Sequence, residues 1–273
     1  MIDLSGRAQR KRGIVKILEL IYHSTVRNIR KSHRNALAGL AINIVQTLVF
    51  VLAFYLMFSV LGLRGSAIRG DFMLYLMSGI FLFLLHTKTV GAVVKAEGPA
   101  SSMMKHAPLN TMITISAAAL GTLYLQILSL GVILFFYHVL ISPITIYDPV
   151  GTSMMILLGW FSGIGVGLIL MALRPWAPDI VNILTSVYSR ANMIASGKMF
   201  VANTLPSYLL VMFDWNPLFH IIDQCRGFVF INYNPHFTSI EYPLYISIGL
   251  LMLGLMGEFF TRQRASASWG AGR

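Results

Sequence analysis

Long apolar runs alternate with short polar segments along most of this chain. A helix needs about 20 apolar residues to cross the hydrocarbon core of a bilayer. Six runs approach that length, and the spans they predict are 39–63, 72–94, 112–141, 151–173, 180–201 and 242–260. Because the connections are short, the pattern predicts an all-α integral membrane protein of six transmembrane helices with no separate soluble domain.

The first 38 residues have a different pattern, because they are basic and contain no apolar run before Ile14. We therefore expect that this leader is not a cleavable signal peptide. From Ile14, apolar residues recur at the spacing of one helix face, and basic residues collect opposite them. This pattern predicts an amphipathic helix over 14–34 that lies in the cytoplasmic membrane interface, its basic side toward anionic lipid headgroups. A solvated basic leader without regular structure is the alternative. The amphipathic helix is favoured because the apolar spacing continues for three turns.

The segment between the fifth and sixth predicted spans is half apolar and half polar, and it contains Pro206, Pro217 and several charged residues. A segment of this kind that enters a membrane must pair its backbone polar groups with other protein groups. Proline suits the first turn of a helix, where its missing N–H is not needed. The pattern predicts a re-entrant segment over 203–230, on the outer side.

Composition agrees with a membrane protein. Charged residues make up 11% of the chain and hydrophobic residues 56%, with a mean hydropathy of +0.71, whereas an average soluble domain has about 25% charged residues. Most Lys and Arg outside the spans lie in the leader, in the loop 95–110 and in the tail 261–273. The opposite side has only Arg64, Arg69 and Arg226. The positive-inside rule therefore places both termini in the cytoplasm.

The sequence contains none of the common catalytic motifs, such as GxxxxGK[ST], HExxH or GxSxG. Close packing between helices is a better interpretation of Gly163, Gly165 and Gly167 than a dinucleotide-binding loop, because no predicted strand precedes these glycines. Cys225 is the only cysteine, so an internal disulfide is excluded and no metal-site spacing is present. The acidic residues lie at the ends of spans or in loops, whereas a proton or sodium relay usually has one near the middle of the membrane. We expect no catalytic residue, no metal and no cofactor on this chain.

One set of motifs resembles a known family. Arg190, the run 196–200 (SGKMF), Leu205-Pro206 and the run 215–218 (WNPL) precede His220, Asp223 and Arg226. This order resembles the C-terminal half of type-2 ABC exporter permeases, most of all those that export capsular and O-antigen polysaccharides. The chain departs from that family at the start of the first span, where 38–43 contain no Trp or Pro.

The resemblance implies an ABC-2 type transmembrane domain over 39–273. It implies a homodimer that recruits two copies of a cytoplasmic ABC ATPase, which would bind the ATP and Mg²⁺. The substrate would be a polysaccharide of capsule or O-antigen type, with or without a lipid link, that crosses the bacterial inner membrane. Membrane lipids and periplasmic and outer-membrane export components are further partners, and nucleic acid is not expected. The alternatives are an exporter of a drug or other small hydrophobic substrate, a membrane-embedded glycolipid-processing enzyme, and a non-transporting scaffold.

Two groups of site residues follow from the resemblance. The loop 95–110 would form a coupling helix that receives the ATP-driven movement; its residues are Glu97, Pro99, Lys105 and Pro108. An ordinary solvated turn is the alternative for this loop. The outward segment 203–230 would close the exit of the channel; its residues are Pro206, Trp215, Asn216, Pro217, His220, Asp223 and Arg226.

Arg190 lies near the middle of the fifth predicted span. A charge at that depth costs a few kcal/mol, so the side chain is expected to face other helices or a watery path. There it could bind acidic sugars or a phosphate; pairing with Asp179 or a carbonyl is an equal alternative. Tyr188, Lys198 and Phe200 are predicted to line the same channel.

Two further expectations concern side chains of the outward segment. Trp215 and Tyr208 fit an interfacial aromatic belt better than a sugar-stacking site. His220, Asp223 and Arg226 fall at i, i+3 and i+6. Neighbours at that spacing share a helix face, which predicts that the three brace the segment by pairing with one another.

Overall fold

A computed structural model describes residues 4–32, 36–60, 62, 68, 70–96 and 111–264. Within these ranges there is no strand, and the predicted all-α class is confirmed. The helices are α1 (Leu4–Ser32), α2 (Ala36–Val60), α3 (Phe72–Val94), α4 (Thr111–Leu140), α5 (Pro149–Leu173), α6 (Pro178–Ala195), α7 (Ser207–Phe213), α8 (Pro217–Val229) and α9 (Glu241–Arg264), with a short 3₁₀ turn at Ala202–Thr204.

By length and composition, α2, α3, α4, α5 and α9 are the helices of the described ranges that qualify as membrane spans. The 18-residue helix α6 does not qualify. Six spans therefore remain a prediction. The coupling residues Glu97, Pro99, Lys105 and Pro108 lie outside the described residues.

Helices α3 and α5 run side by side at the centre of the bundle. Asp71 caps α3, and its Oδ2 accepts a hydrogen bond of 2.6 Å from the Tyr137 hydroxyl at the end of α4. Asp148 caps α5 in the same way. At the opposite end, Arg174 Nη1 donates to the Val94 carbonyl over 2.9 Å. The last bond joins the ends of α3 and α5, and the contacts of Gly159 with Leu82 and of Gly167 with Val93 show that the two helices are parallel.

The glycines of α5 allow close contact with α3 on one side and α9 on the other. A Cβ on Gly163 would lie 2.9 Å from the His86 carbonyl oxygen of α3. A Cβ on Gly165 would lie 3.1 Å from Leu250 Cβ of α9. The predicted packing role of these glycines is confirmed.

The predicted fifth span is too long. We predicted a helix over 180–201, but α6 ends at Ala195. Gly197 adopts φ 71°, a left-handed conformation that most residues avoid. A Cβ there would also lie 2.5 Å from the Phe219 ring. The helix ends because the chain turns at this glycine. The hydrophobicity of the residues around it does not reveal the turn.

After α6 the chain folds back on itself as a helical hairpin. Asn203 Nδ2 donates to the Asn234 carbonyl over 2.7 Å at one end of the hairpin. Asn216 Nδ2 donates to the Ala195 carbonyl over 2.9 Å at the other. Helix α7 begins directly after Pro206, and α8 begins at Pro217. The hairpin lies within the segment 203–230, for which a re-entrant course remains a prediction.

A buried latch and a polar cleft beside it

Asp223 is a buried acceptor that joins α8 to the chain before α7 and to the loop after α8. Its Oδ1 accepts hydrogen bonds from the Ala202 backbone N–H (3.1 Å) and the Tyr233 hydroxyl (2.5 Å). Its Oδ2 accepts one from the Thr238 hydroxyl over 2.9 Å. Burial and the negative charge of Asp223 raise the pKa of Tyr233, so that hydroxyl stays protonated and keeps donating. The carboxylate thus satisfies its own buried charge while it holds the segment together.

Arg226 lies one turn further along α8 and is fully buried. Its Nη1 donates to the carbonyls of Gly197 (2.8 Å) and Phe200 (2.6 Å), and its Nη2 donates to that of Lys198 (2.6 Å). The guanidinium also lies 4.3 Å from the centre of the Tyr75 ring of α3. A planar group with several fixed donors is suited to hold irregular backbone in this way. Arg226 therefore fixes the non-helical residues after α6.

Asn216 and His220 secure the start of α8. Asn216 Oδ1 accepts from the Leu218 N–H over 3.0 Å as the helix cap, while its Nδ2 reaches back to α6. His220 Nδ1 accepts from the Ser239 N–H over 3.1 Å, so Nε2 carries the proton that it donates to the Asp214 carbonyl over 2.7 Å. We name Asn216, His220, Asp223 and Arg226, with these bonds, the latch.

The predicted mutual pairing of His220, Asp223 and Arg226 is wrong. In the described structure, the three bond to the irregular segments on either side of the hairpin, and none forms an ion pair with another. The physical reason is that irregular backbone surrounds α8 and needs buried donors and acceptors. The motif therefore holds the hairpin in place through contacts that helix spacing alone does not indicate.

Lys198 is almost fully buried, with 1% of its surface exposed. Its Nζ lies 3.9 Å from the centre of the Phe83 ring and 5.0 Å from those of Phe50 and Phe54. No hydrogen-bond acceptor for this nitrogen lies among the described residues. The aromatic faces attract the cation and connect the loop to α2 and α3. Its predicted place in the channel stays a prediction.

Arg190 and Tyr188 share a polar cleft of about 320 Å³ between α3 and α6. Arg190 is exposed, and within the described chain its guanidinium has no ion-pair partner, Asp179 included. The Tyr188 hydroxyl donates to Nε2 of the buried His86 over 2.7 Å, and His86 Nδ1 donates to the Gly159 carbonyl. The remaining polar side chains of the cleft are hydroxyls, from Thr87, Thr185, Ser186 and Ser189.

The predicted aromatic residues separate into two groups. Phe200 packs against Phe213 and Phe219, with ring centres 5.0 and 6.2 Å away. Trp215 and Tyr208 are exposed. The first group supports the hairpin from inside, and the second lies on its surface.

Sequence reasoning missed His86, Tyr233 and Thr238 as members of this region. His86 was visible as a histidine inside an apolar run, which requires a buried partner. Tyr233 and Thr238 had no comparable signal, because they lie in the loop after α8 and reach Asp223 only through the fold of that loop.

The fold and these contacts define a class: a helical membrane protein in which a polar latch holds a helical hairpin that follows a helix with an exposed arginine. The chain is similar to the polysialic acid transport protein KpsM of Escherichia coli. Two curated proteins of that name are each 25% identical over 207 residues, which is 71% of this chain and 75% of the relative. No family model matches the chain. The similarity confirms the resemblance to capsular polysaccharide export permeases that the motifs predict.

Proposed function

We propose that this chain is the permease subunit of an ATP-driven exporter that moves a capsule-type or O-antigen-type polysaccharide across the inner membrane. The observation that carries the proposal is the similarity to KpsM, a polysialic acid transport protein, over most of both chains. The latch adds support, because the motifs that suggested this family are the residues that hold the outward hairpin. ATP and Mg²⁺ would bind two copies of a separate ATPase.

The cleft beside α6 supports the proposal that the transported polysaccharide is acidic. Arg190 presents an exposed guanidinium among hydroxyl groups, and none of the described residues that line the cleft is acidic. A guanidinium binds a carboxylate or phosphate through two parallel hydrogen bonds, and hydroxyls suit the remaining groups of a sugar. Arg190 would bind the acidic groups of the passing polymer, while Tyr188, Lys198 and Phe200 would shape the path nearby.

A second copy of the chain would complete the path. Gln46 in the middle of α2 and Arg190 in α6 are both exposed on the single chain, and lipid is a poor environment for either side chain. A homodimer that faces these helices toward each other would enclose both groups in a polar channel. In this arrangement both termini are cytoplasmic, the loop 95–110 contacts the ATPase, and the segment 203–230 closes the exit.

The test measures surface polysaccharide in the cells that produce this chain, with the chain deleted and then replaced by its variants. Arg190→Ala should reduce surface polymer by about tenfold or more, because a charge-assisted contact is lost. Arg190→Lys should retain part of it, since the charge remains. Arg262→Ala, which removes an exposed arginine at the end of α9, is the matched control and should export normally.

Protein level in the membrane and recovery of the ATPase on the tagged permease are measured in parallel. Export lost with both quantities unchanged supports a role of Arg190 in the path. Normal export by Arg190→Ala and Arg190→Glu would contradict it. Surface polymer that persists when the chain is deleted would overturn the proposed function itself.

A further inference from the structure

A groove of about 440 Å³ lies between α4 and α5, over the first half of α3. It also reaches α8, at Cys225 and Val229. Ile127 of α4 and Leu157 of α5 line it and are nearly half exposed, whereas Met77 of α3 lines it and is buried. The groove is therefore closed toward the centre of the bundle and open toward the surroundings of the protein.

The walls of this groove are apolar. None of the described residues that line it is charged. Its hydroxyls belong to Ser78, Thr152 and Ser153, and each of them donates to a backbone carbonyl three or four residues earlier, over 2.9, 2.8 and 2.7 Å. A polar ligand would lose its hydrogen bonds to water here without replacement. The groove is therefore suited to a hydrocarbon.

The size and shape of the groove indicate a chain of carbon atoms. A cavity of about 150 Å³ with aliphatic and aromatic walls can hold benzene, and this groove is about three times as large. Its contacts on α3 extend from Leu74 to Leu82, a distance of about 12 Å at about 1.5 Å per residue. On α4 they extend from Ile127 to Leu134, about 10 Å. A linear hydrocarbon fills such a space better than a compact one.

The position of the groove indicates the source of that hydrocarbon. Helices α3, α4 and α5 all qualify as membrane spans, so a groove between them opens to the acyl chains of the bilayer. If the groove stayed empty, the atoms of its walls would lose their dispersion contacts on one side. An acyl chain of a phospholipid restores these contacts and is present at that depth.

A second copy of the chain suits this surface less well. On α6, Arg190 lies among exposed apolar residues, and a protein partner would enclose its charge. The groove has no such charge at its rim. Ile127, Leu157 and the neighbouring Met154 are exposed apolar side chains, for which lipid is a favourable environment. Charge thus separates the surface that needs a protein partner from the surface that lipid can cover.

We propose that this groove binds one acyl chain of a membrane phospholipid, and that the chain packs against α8 at Cys225 and Val229. These residues lie on the helix that contains Asp223 and Arg226 of the latch. The bound chain therefore supports the hairpin from the side of the lipid, while the latch supports it through hydrogen bonds. The site is separate from the cleft at Arg190. It goes beyond the proposed transport function and does not depend on it.

The test uses a phosphatidylcholine that has a photoreactive diazirine in the middle of one acyl chain. The full-length chain is reconstituted with this lipid into vesicles, irradiated and digested, and the adducts are located by mass spectrometry. Wild type should acquire adducts on Cys225 or Val229, which are only 2% and 5% exposed and are reached by lipid through the groove. Adducts on the exposed Phe135 and Met154 with none on Cys225 or Val229 would overturn the proposal.

A substitution at Gly131 fills the groove. Gly131 lines it, and a Cβ there would meet nothing within 4 Å, so Gly131→Phe adds a ring without a clash. Labelling of Cys225 and Val229 should fall by about tenfold or more, because an acyl chain that shared the space with the ring would be overpacked. Labelling of Met154 should be unchanged. Gly131→Leu, with a smaller side chain, should give an intermediate loss and guards against misfolding of the phenylalanine variant.

Gly249→Phe is the matched control. Gly249 is also an exposed glycine of a membrane span, α9, and a Cβ there would meet nothing within 4 Å, but it does not line the groove. Its labelling of α8 should match wild type. Equal losses in Gly131→Phe and Gly249→Phe would overturn the site, because the effect would then not depend on the groove.

A further arm measures the oligomeric state of the purified variants. If Gly131→Phe converted a dimeric protein into monomers while Gly249→Phe did not, the groove would belong to a second copy and the lipid assignment would be overturned. An unchanged oligomeric state with reduced labelling of α8 supports the lipid site. None of these results depends on export, so failure here and failure of the proposed function are distinguishable.

Discussion

Asp223 shows how much one buried carboxylate contributes to the hairpin. Three donors from two segments, one before α7 and one after α8, converge on it. Asp223→Ala should lower the free energy of unfolding by about 3 kcal/mol or more, because buried donors are left unpaired. Asp223→Asn should cost less, since the amide oxygen still accepts. Thermal unfolding of the purified protein checks this order, with Asp214→Ala as the control.

Asp214 is a suitable control because its carboxylate is more than half exposed, and because the buried His220 beside it also bonds to the Ser239 N–H and the Asp214 carbonyl. An ion pair with an exposed carboxylate contributes about 0–1 kcal/mol. If Asp214→Ala and Asp223→Ala proved equally destabilising, the latch would not be the main support of the segment.

Lys198 allows stability and function to be separated at one residue. Its ammonium is buried among aromatic rings with no acceptor among the described residues. The cation–ring contacts contribute about 2 kcal/mol, but burying a charge costs several kcal/mol. Lys198→Met should therefore leave the melting temperature unchanged or raise it. If Lys198 also acts in the channel, export should fall in the same variant.

Two results would contradict this account of Lys198. A clear loss of melting temperature in Lys198→Met would show that the cation stabilises the loop. Normal export at normal protein level would remove Lys198 from the predicted path, while Arg190 would be unaffected.

At the scale of helices, the approach of α3 to the loop after α6 depends on Gly79. A Cβ there would lie 2.7 Å from Arg226 Nη2 and 2.8 Å from the Lys198 carbonyl oxygen. Gly79→Ala should therefore cost about 1–3 kcal/mol and displace the guanidinium from the carbonyls it holds. Thermal unfolding and protein level in the membrane measure the effect.

The control lies on the same helix. A Cβ on Gly91 meets nothing within 4 Å, so Gly91→Ala should be neutral or slightly stabilising because alanine favours helix. If both variants behaved alike, the close approach at Gly79 would not matter for stability.

Hydrophobic patterning predicted most of the helices, and particular residues explain where it failed. The apolar runs of α3 and α5 gave accurate positions because each is long and uninterrupted. The end of α6 was misplaced because Gly197 turns the chain inside an apolar run. The proline positions indicated the starts of α7 and α8, since proline restricts the backbone locally.

The site was harder to predict than the helices. The motif residues from Asn216 to Arg226 were identified, but their partners were not, because those partners are backbone carbonyls and loop hydroxyls such as Thr238. Sequence spacing describes neighbours on one helix and does not describe the irregular segments packed around it.

At the scale of the whole molecule, the exposed side of α6 is the surface of the single chain that suits solvent and lipid least. Val181 and Asn192 are its buried residues, while Ile183, Val187 and others are exposed alongside Arg190. An apolar surface that also contains an exposed arginine suits neither water nor lipid alone. We expect it to face a second copy, with the arginine toward the enclosed path.

Cysteine cross-linking tests this arrangement directly. The chain has one cysteine, Cys225, which is buried, so a Cys225→Ala background leaves an introduced cysteine as the only reactive thiol. Val187→Cys on α6 should form covalent dimers in membranes under mild oxidation, because the two copies of α6 would approach each other there. Phe135→Cys on α4 is equally exposed on the single chain and should remain monomeric. Dimers from Phe135→Cys alone would place the interface on α4, and the polar cleft at Arg190 would then face lipid, which its charge makes unfavourable.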